Sequence, residues 1–371
     1  MSLHGRRRSA AGPLLLLALL LASCGSPTFP PATRPAPVPG SANPPSTPPS
    51  SPLTSSSPSP QPAIGRVVAR VPIRAELLGA LALAVGNDSV WVTAGGDTHG
   101  SLLRIPFSSD QVSAMVPVGW APAELAVAGG SAWVADTVGD GSRPQGDQNE
   151  VLRVDLSSGR VLARIRVLAP GAIVASTEAA WVAQSAAGST SQVVRIDSAS
   201  NRPTWSTPLP GLVSELTVAD GSLWVSTDLA SATGQLGTIA RLDLTSGRTI
   251  GEISLPAPGR LLVAAGGLWV VLSSPDGGTP ILQQIDPSSG QLAGPPLASP
   301  ELDGIVAGSE AGLWVAHAGE LSWLRLPDLA RQRAPVALIE QPGESVVALV
   351  PTKTDVWVLT NVELIQLALE N

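Results

Sequence analysis

Short apolar segments recur along residues 64–371, each followed by a turn and by a second apolar segment that contains Trp-Val. The first segments read AELAVA, SELTVA and RLLVAA, and the second read SAWVAD, SLWVST and GLWVVL. The turns between them are expected at Gly129 and Gly130, at Asp220 and Gly221, and at Gly266 and Gly267. Asp-Gly and Gly-Gly between apolar runs predict tight hairpins. The second segment is apolar at successive positions, as expected of a strand covered on both faces.

Each unit continues with a third segment (VLRVDL, VVRID, IARLDL) and a fourth (RVLARIRV, RTIGEISL), so four strands make one repeat. The intervals between successive Trp-Val pairs are 42, 48, 43, 45, 45 and 43 residues. A period in this range with strand-like content predicts the blades of a β-propeller, in which bulky Trp side chains fill the space between blades. We expect this structural role for Trp91, Trp133, Trp181, Trp224, Trp269, Trp314 and Trp357.

The ends of the domain predict how the ring closes. The last unit supplies three strands and the chain then ends, whereas GRVVARVPI at residues 65–73 matches the fourth strand GRVLARIRV at residues 159–167 at five of nine positions. The N-terminal strand should therefore complete the last blade, which removes exposed sheet edges. The predicted fold is all-β, a seven-bladed propeller with four antiparallel strands per blade.

Polar residues also repeat within the third strand and after it. Arg recurs there, and we expect its stem to pack along the sheet with its head paired at the surface. An Asp follows, whose side chain should cap the backbone of the next turn. The Arg positions are Arg104, Arg153, Arg195, Arg241 and Arg325, with Gln284 and Gln366 in the other blades. The Asp positions are Asp155, Asp197, Asp243 and Asp286.

The first sixty residues have a different composition. Three Arg precede the apolar run at residues 14–22, which is too short to span a bilayer and is typical of a secretory signal. From residue 25 to about 63 the chain is almost entirely Pro, Ser, Thr, Ala and Gly, which predicts a disordered, extended tether. The predicted organisation is a signal peptide at 1–23, Cys24 with its tether at 24–63, and the propeller at 64–371.

Charge narrows the range of partners. The formal net charge is −7, and it becomes −10 once Arg6, Arg7 and Arg8 leave with the signal. An acidic chain without basic clusters argues against nucleic acid as a partner. Cys24 is the only cysteine, so it has no disulfide partner. We predict no cofactor and no metal site, and we expect a monomer.

Two resemblances extend this interpretation. Leu21, Ala22, Ser23 and Cys24 resemble the lipobox of bacterial lipoproteins, which implies that Cys24 is lipidated and anchors the chain outside the cytoplasmic membrane. The Gly-turn, Trp strand and Arg-Ile-Asp-like strand resemble bacterial propellers of the YVTN type and, more distantly, the streptogramin lyases. Those lyases use His and Glu with a divalent metal near the channel. Here His99 and His317 are expected on the surface, and no Glu follows the Trp strands.

Charged residues near the starts of the first strands are the candidates for a binding site. These starts should surround one mouth of the central channel, where propellers generally bind their partners. The candidate residues are Glu124, Glu215, Arg260, Asp303 and Glu344. The loop DTVGDGSRPQGDQNE at residues 136–150 is rich in carboxylates, but its spacing fits no calcium-ligand pattern.

The sequence thus predicts a lipid-anchored, non-catalytic binding module at the bacterial envelope, whose partner is an envelope protein or a small ligand. No nucleophile with a base, phosphate loop or metal cluster is recognisable. The alternatives are a metal-dependent lyase-like enzyme, a quinone-dependent propeller enzyme and an envelope assembly factor.

Overall fold

The computed structural model describes most of the predicted propeller. It covers residues 63–73, 77–96, 99–137, 149–185, 190–231, 234–274 and 278–369. The predicted signal peptide, Cys24 and the tether lie outside these residues, apart from residue 63.

The described strands form seven antiparallel sheets, and each sheet is one blade. The first strand of the chain, β1 (Gly65–Pro72), belongs to the last blade. Blade 1 contains β2 (Leu77–Val85), β3 (Ser89–Gly96), β4 (Ser101–Pro106) and β5 (Ala114–Pro117). Blade 2 contains β6 (Pro122–Ala128), β7 (Ser131–Asp136), β8 (Glu150–Asp155) and β9 (Val161–Arg166). Blade 3 contains β10 (Pro170–Ala175), β11 (Ala179–Ser185), β12 (Thr190–Asp197) and β13 (Arg202–Pro210). Blade 4 contains β14 (Leu212–Ala219), β15 (Ser222–Ser231), β16 (Gly234–Asp243) and β17 (Thr249–Leu255).

Blade 5 also has four consecutive strands, whereas blades 6 and 7 differ in their fourth strand. Blade 5 contains β18 (Gly259–Ala264), β19 (Gly267–Leu272), β20 (Ile281–Asp286) and β21 (Gln291–Ala298). A 3₁₀ helix, Pro300–Asp303, precedes blade 6, which contains β22 (Ile305–Gly308), β23 (Gly312–His317), β24 (Glu320–Arg325), β25 (Ala330–Arg331) and β26 (Val336–Ala337). Blade 7 contains β27 (Val346–Pro351), β28 (Asp355–Thr360), β29 (Glu363–Leu369) and the N-terminal β1.

The blades form a closed ring around their first strands. Each first strand contacts the first strand of the next blade, and β27 of blade 7 contacts β2 of blade 1. The prediction that the N-terminal strand completes the last blade is confirmed, because β1 pairs with β29 from Gly65 opposite Leu369 to Pro72 opposite Glu363. Arg70 strengthens this closure by pairing with Glu363 and, at 2.8 Å, with Glu340.

The Trp of each second strand packs toward the following blade. Trp91 of blade 1 lies in one apolar cluster with Ala132 and Val134 of blade 2, and its own neighbours Val90 and Val92 lie in the cluster of blade 7. All seven Trp side chains are buried, with exposed fractions between 0% and 7%. Both faces of the second strand are therefore covered, which explains its unbroken apolar sequence.

One turn lies one residue earlier than the sequence pattern predicts. In blade 5, Ala264 pairs with Gly267, so the two-residue loop is Ala265 and Gly266, with φ of 49° and 69°. Gly267 is instead the first residue of β19, where a Cβ would lie 3.0 Å from Nε2 of Gln284. The prediction of a turn at Gly266 and Gly267 is therefore wrong by one residue, because Gly267 already belongs to the strand, where it packs against Gln284.

The repeated Arg of the third strand lies across from the Trp. The guanidinium groups of Arg104, Arg153 and Arg241 lie 5.0–5.9 Å from the centres of the opposing indoles. Arg153 also donates to the Ser198 carbonyl of blade 3, and Arg241 to the Pro287 carbonyl of blade 5, so two of these side chains link adjacent blades.

Blade 6 breaks the Arg pattern. Trp323 lies opposite Trp314, while Arg325 lies two residues further along the strand and pairs with Asp328. The assignment of Arg325 to the repeat is therefore wrong.

Candidate functional site

The starts of the seven first strands lie on one face of the ring, which we call the mouth face. Because the four strands of a blade alternate in direction, the loops between second and third strands lie on this face too. The tight turns between first and second strands lie on the opposite face.

Three of the five predicted mouth residues occupy equivalent positions in different blades. Glu124, Glu215 and Arg260 each lie two residues before the position opposite the repeat Trp, which is Ala126, Thr217 or Leu262. The same position in the other blades is occupied by Ala82, Ala172, Ile305 and Ala348. Two carboxylates and one guanidinium thus share one layer of the ring, and the rest of this channel layer is apolar.

Glu215 is the most perturbed acid of this layer. Burial raises its pKa to about 7, and the nearby Glu124 carboxylate adds to this effect. The Leu261 N–H donates to its Oε2 and, with the charge of Arg260, opposes the rise. Leu261 belongs to β18, and among the described strands β18 pairs with β19 alone, so Glu215 accepts from an N–H on the inner edge of the next blade.

Glu124 lies in the same layer without a close protein partner in the described part of the chain. Burial raises its pKa as well. The side chain is nevertheless in contact with solvent, because water reaches it through the channel. The surrounding strands displace much of the remaining solvent, which explains why its pKa is still raised. Its carboxylate is therefore available to a ligand that enters from the mouth face.

Arg260 has a structural role in this layer. Its guanidinium donates to the carbonyl of Gly304 at 2.8 Å and to that of Leu302. Both carbonyls belong to the connection that leads into blade 6, so Arg260 fixes that connection beside the channel.

Asp303 and Glu344 lie outside the shared layer. Asp303 is exposed at the end of the 3₁₀ helix that precedes blade 6. Glu344 lies in the connection before β27, where its Oε2 accepts from the Glu340 N–H at 3.4 Å. Its Oε1 is buried and has no hydrogen-bond partner within the part of the chain that the structure describes. The structure thus separates the predicted five residues into an inner group of three and two residues of the surrounding loops.

A second group on the mouth face was not anticipated from the sequence. The His99 ring stacks on Trp120 with centroids 5.2 Å apart, at the boundary of blades 1 and 2. Asp136 accepts from the N–H groups of Trp120 and Ala121 at 2.9 and 2.7 Å. Burial raises the pKa of Asp136, and these two hydrogen bonds oppose the rise. The one available signal was a Trp outside the Trp-Val repeat, in the connection between two blades.

Asp136 therefore orders a connection, and it does not project from a polar loop. Glu150, at the other end of the loop, pairs with Arg164. Residues 138–148 of that loop, including Asp140 and Asp147, lie outside the described residues. His317 is at the end of β23 in blade 6, with the whole of blade 7 between it and His99.

Two further observations concern metals and membranes. Among the described residues, no group of three or more His, Cys, Asp or Glu side chains is arranged to hold a metal ion. No helix in the same part of the chain has the length and apolarity to cross a membrane.

Comparison with known proteins identifies the fold. No family model and no curated protein matches the chain. Hydrazine synthase from Kuenenia stuttgartiensis is similar in structure, with a TM-score of 0.63, 16% identity and coverage of 80% of this chain and 98% of that one. The Pan2 WD40 domain of Neurospora crassa has a TM-score of 0.57, 12% identity and coverage of 79% and 90%.

A catalytically inactive virginiamycin B lyase from Staphylococcus aureus, solved with quinupristin, has a TM-score of 0.55 and 16% identity, with coverage of 81% of this chain and 98% of that one. Proteins with such different names share one architecture, and at these identities the likeness extends to the fold alone. The chain is a seven-bladed β-propeller.

Proposed function

We propose that this chain is a non-catalytic binding module, anchored by a lipid on Cys24 at the extracytoplasmic side of a bacterial membrane, and that it binds its partner at the channel mouth. The observation that carries this proposal is the pair of carboxylates, Glu124 and Glu215, in a channel layer that is otherwise apolar apart from Arg260.

The chemistry of the mouth favours a cationic group of the partner. Arg260 already donates to two backbone carbonyls, so its charge is partly engaged within the protein. Glu124 remains accessible from the channel, and Glu215 accepts one backbone N–H with one carboxylate oxygen. A Lys or Arg side chain of a partner, or another amine, would be desolvated between them, where charge-assisted hydrogen bonds are strong.

The position at the envelope rests on the N-terminal sequence. The Arg-rich start, the short apolar run and the Leu-Ala-Ser-Cys sequence are the features that support secretion and lipidation. More than one acyl chain would anchor the protein stably. The Pro-rich segment between Cys24 and the propeller would hold the binding face away from the lipid.

Covalent crosslinking in the native envelope, followed by mass spectrometry, tests this function. The test variant carries Glu124→Gln and Glu215→Gln, which remove both charges and preserve the shape of the side chains. A matched control carries Glu178→Gln and Glu252→Gln, two exposed acids outside the channel layer. All three forms must be fully folded at the assay temperature and equally associated with the membrane before their crosslinks are compared.

We expect a partner that is captured by the wild type and by the control but lost from the test variant. Capture of the same partners by all three forms would refute the mouth as the binding site. Capture of none by any form would refute the binding function itself.

A further inference from the structure

A strand interruption in blade 6 opens space on the face opposite the mouth. The fourth strand of this blade pairs with β24 at Leu324 opposite Arg331 and again at Leu321 opposite Val336. Residues 332–335 bulge away between these pairs, and Ala334 makes a parallel bridge to Ala63. Four residues of one strand thus lie across from two of the other, so the outer strand leaves the sheet at this point.

The interruption coincides with the break in the Arg repeat. Trp323 lies beneath the bulge, next to Trp314 of the neighbouring strand. A Cβ at Gly312 would clash with the Leu324 carbonyl oxygen and would lie 3.1 and 3.2 Å from Cζ2 and Cε2 of Trp323, so the glycine accommodates both the neighbouring strand and the indole ring. The Arg-bearing blades 1, 2 and 4 have Ser where blade 6 has Gly312. An indole, a glycine and a bulge therefore occur together in one blade.

Together these features line a cavity of about 980 Å³ between blades 5, 6 and 7. Trp314 and Trp323 form part of its apolar wall, and Gln332 and Arg333 of the bulge contribute polar groups. Glu310 and Lys353 lie at its edge as an exposed pair, 3.9 Å apart. The volume is in the range of sites that bind small ligands.

We propose that this cavity binds an oligosaccharide. The face of an indole ring is electron-rich and attracts the C–H groups on the apolar face of a pyranose ring. The Gln332 amide, the Arg333 guanidinium and the charged pair of Glu310 and Lys353 lie around the opening. These groups can form hydrogen bonds with the hydroxyl groups of such a ligand. Glu310 and Lys353 balance each other in charge, which favours a ligand that is neutral or carries little charge. The site lies on the other face from the mouth, so it is independent of the partner proposed above.

Calorimetry with defined saccharides tests the proposal. The full mature chain, in a detergent without a sugar headgroup, is titrated with the neutral saccharides cellotetraose, maltotetraose, chitotetraose and mannotetraose, up to millimolar concentration. The test variants are Trp323→Ala and the double variant Gln332→Ala with Arg333→Ala. The matched control, Gln111→Ala with Arg202→Ala, removes the same two side-chain types from other blades.

We expect at least one saccharide to bind, both test variants to weaken its affinity by about tenfold or more, and the control to leave it unchanged. Lys353 is the only lysine of the chain, so its acetylation, followed by peptide mass, reports directly on the edge of the cavity. Bound saccharide should slow that acetylation. No binding of any of the four saccharides, or binding that the cavity variants do not weaken, would overturn the proposal.

Discussion

The raised pKa of Glu215 predicts a pH-dependent cost to stability that Glu215→Gln should remove. A rise from 4.5 to about 7 corresponds to about 3 kcal/mol between the two protonation states. Water in the channel reduces this value, and the Gln amide oxygen can still accept the Leu261 N–H. We therefore expect a net gain of about 1–3 kcal/mol where Glu215 is ionised.

The sign follows from proton binding. Below about pH 4.5 Glu215 is protonated in both the folded and the unfolded chain, so it costs nothing. Between about 4.5 and 7 the folded chain binds more protons, and the wild type loses stability as the pH rises. The full cost is present above about pH 7.

Urea unfolding followed by Trp fluorescence, from about pH 4 to pH 8, measures this difference. Glu215→Gln should match the wild type at the acidic end and exceed it at the alkaline end. The control Glu178→Gln, at an exposed turn, should follow the wild type throughout. A difference that does not change with pH, or a less stable Glu215→Gln at pH 8, would refute the burial of this carboxylate.

Three further predictions concern the blades and the anchor. Among the described residues, the buried Nε of Arg195 has no hydrogen-bond partner, because blade 3 has Ala179 where blade 2 has Ser131, whose hydroxyl accepts from the equivalent Nε of Arg153 at 2.9 Å. In urea unfolding, Ala179→Ser should stabilise the protein by about 1 kcal/mol and Ser131→Ala should destabilise it by about 1–2 kcal/mol. Effects of the same sign for the two variants would contradict this account. Trp224→Ala should cost about 3–5 kcal/mol, because Trp224 is fully buried; a melting temperature within about a degree of the wild type would contradict its packing role. Cys24→Ser should move the protein from the membrane fraction to the soluble fraction, and an unchanged fractionation would rule out Cys24 as the anchor.

The architecture could be predicted because the repeat reflects packing. One Trp per blade must fill the space to the next blade, and a missing fourth strand must be supplied from the other end of the chain. Local predictions are wrong where one residue type has more than one structural explanation. Gly267 was assigned to a turn although it makes room for Gln284, and Arg325 was assigned to the Arg repeat although Trp323 occupies that position.

The site was less predictable for a different reason. Its residues come from several blades, and their proximity depends on register that sequence spacing does not fix. Glu124 and Glu215 lie at equivalent positions, whereas Asp303 and Glu344, which have the same charge and a similar place in the repeat, do not. The cavity lined by Trp323 includes residues of the bulge, and these residues have no distinctive sequence pattern.

Site-specific photo-crosslinking in whole cells tests the central claim, binding at the mouth, most directly. A photoreactive amino acid replaces Asp303, which is exposed on the mouth face, or Asp220, which is exposed in a tight turn on the opposite face. We predict that position 303 forms a crosslinked product with a specific partner, and that position 220 forms no product of the same mass. The same partner from both positions, or from position 220 alone, would contradict binding at the mouth.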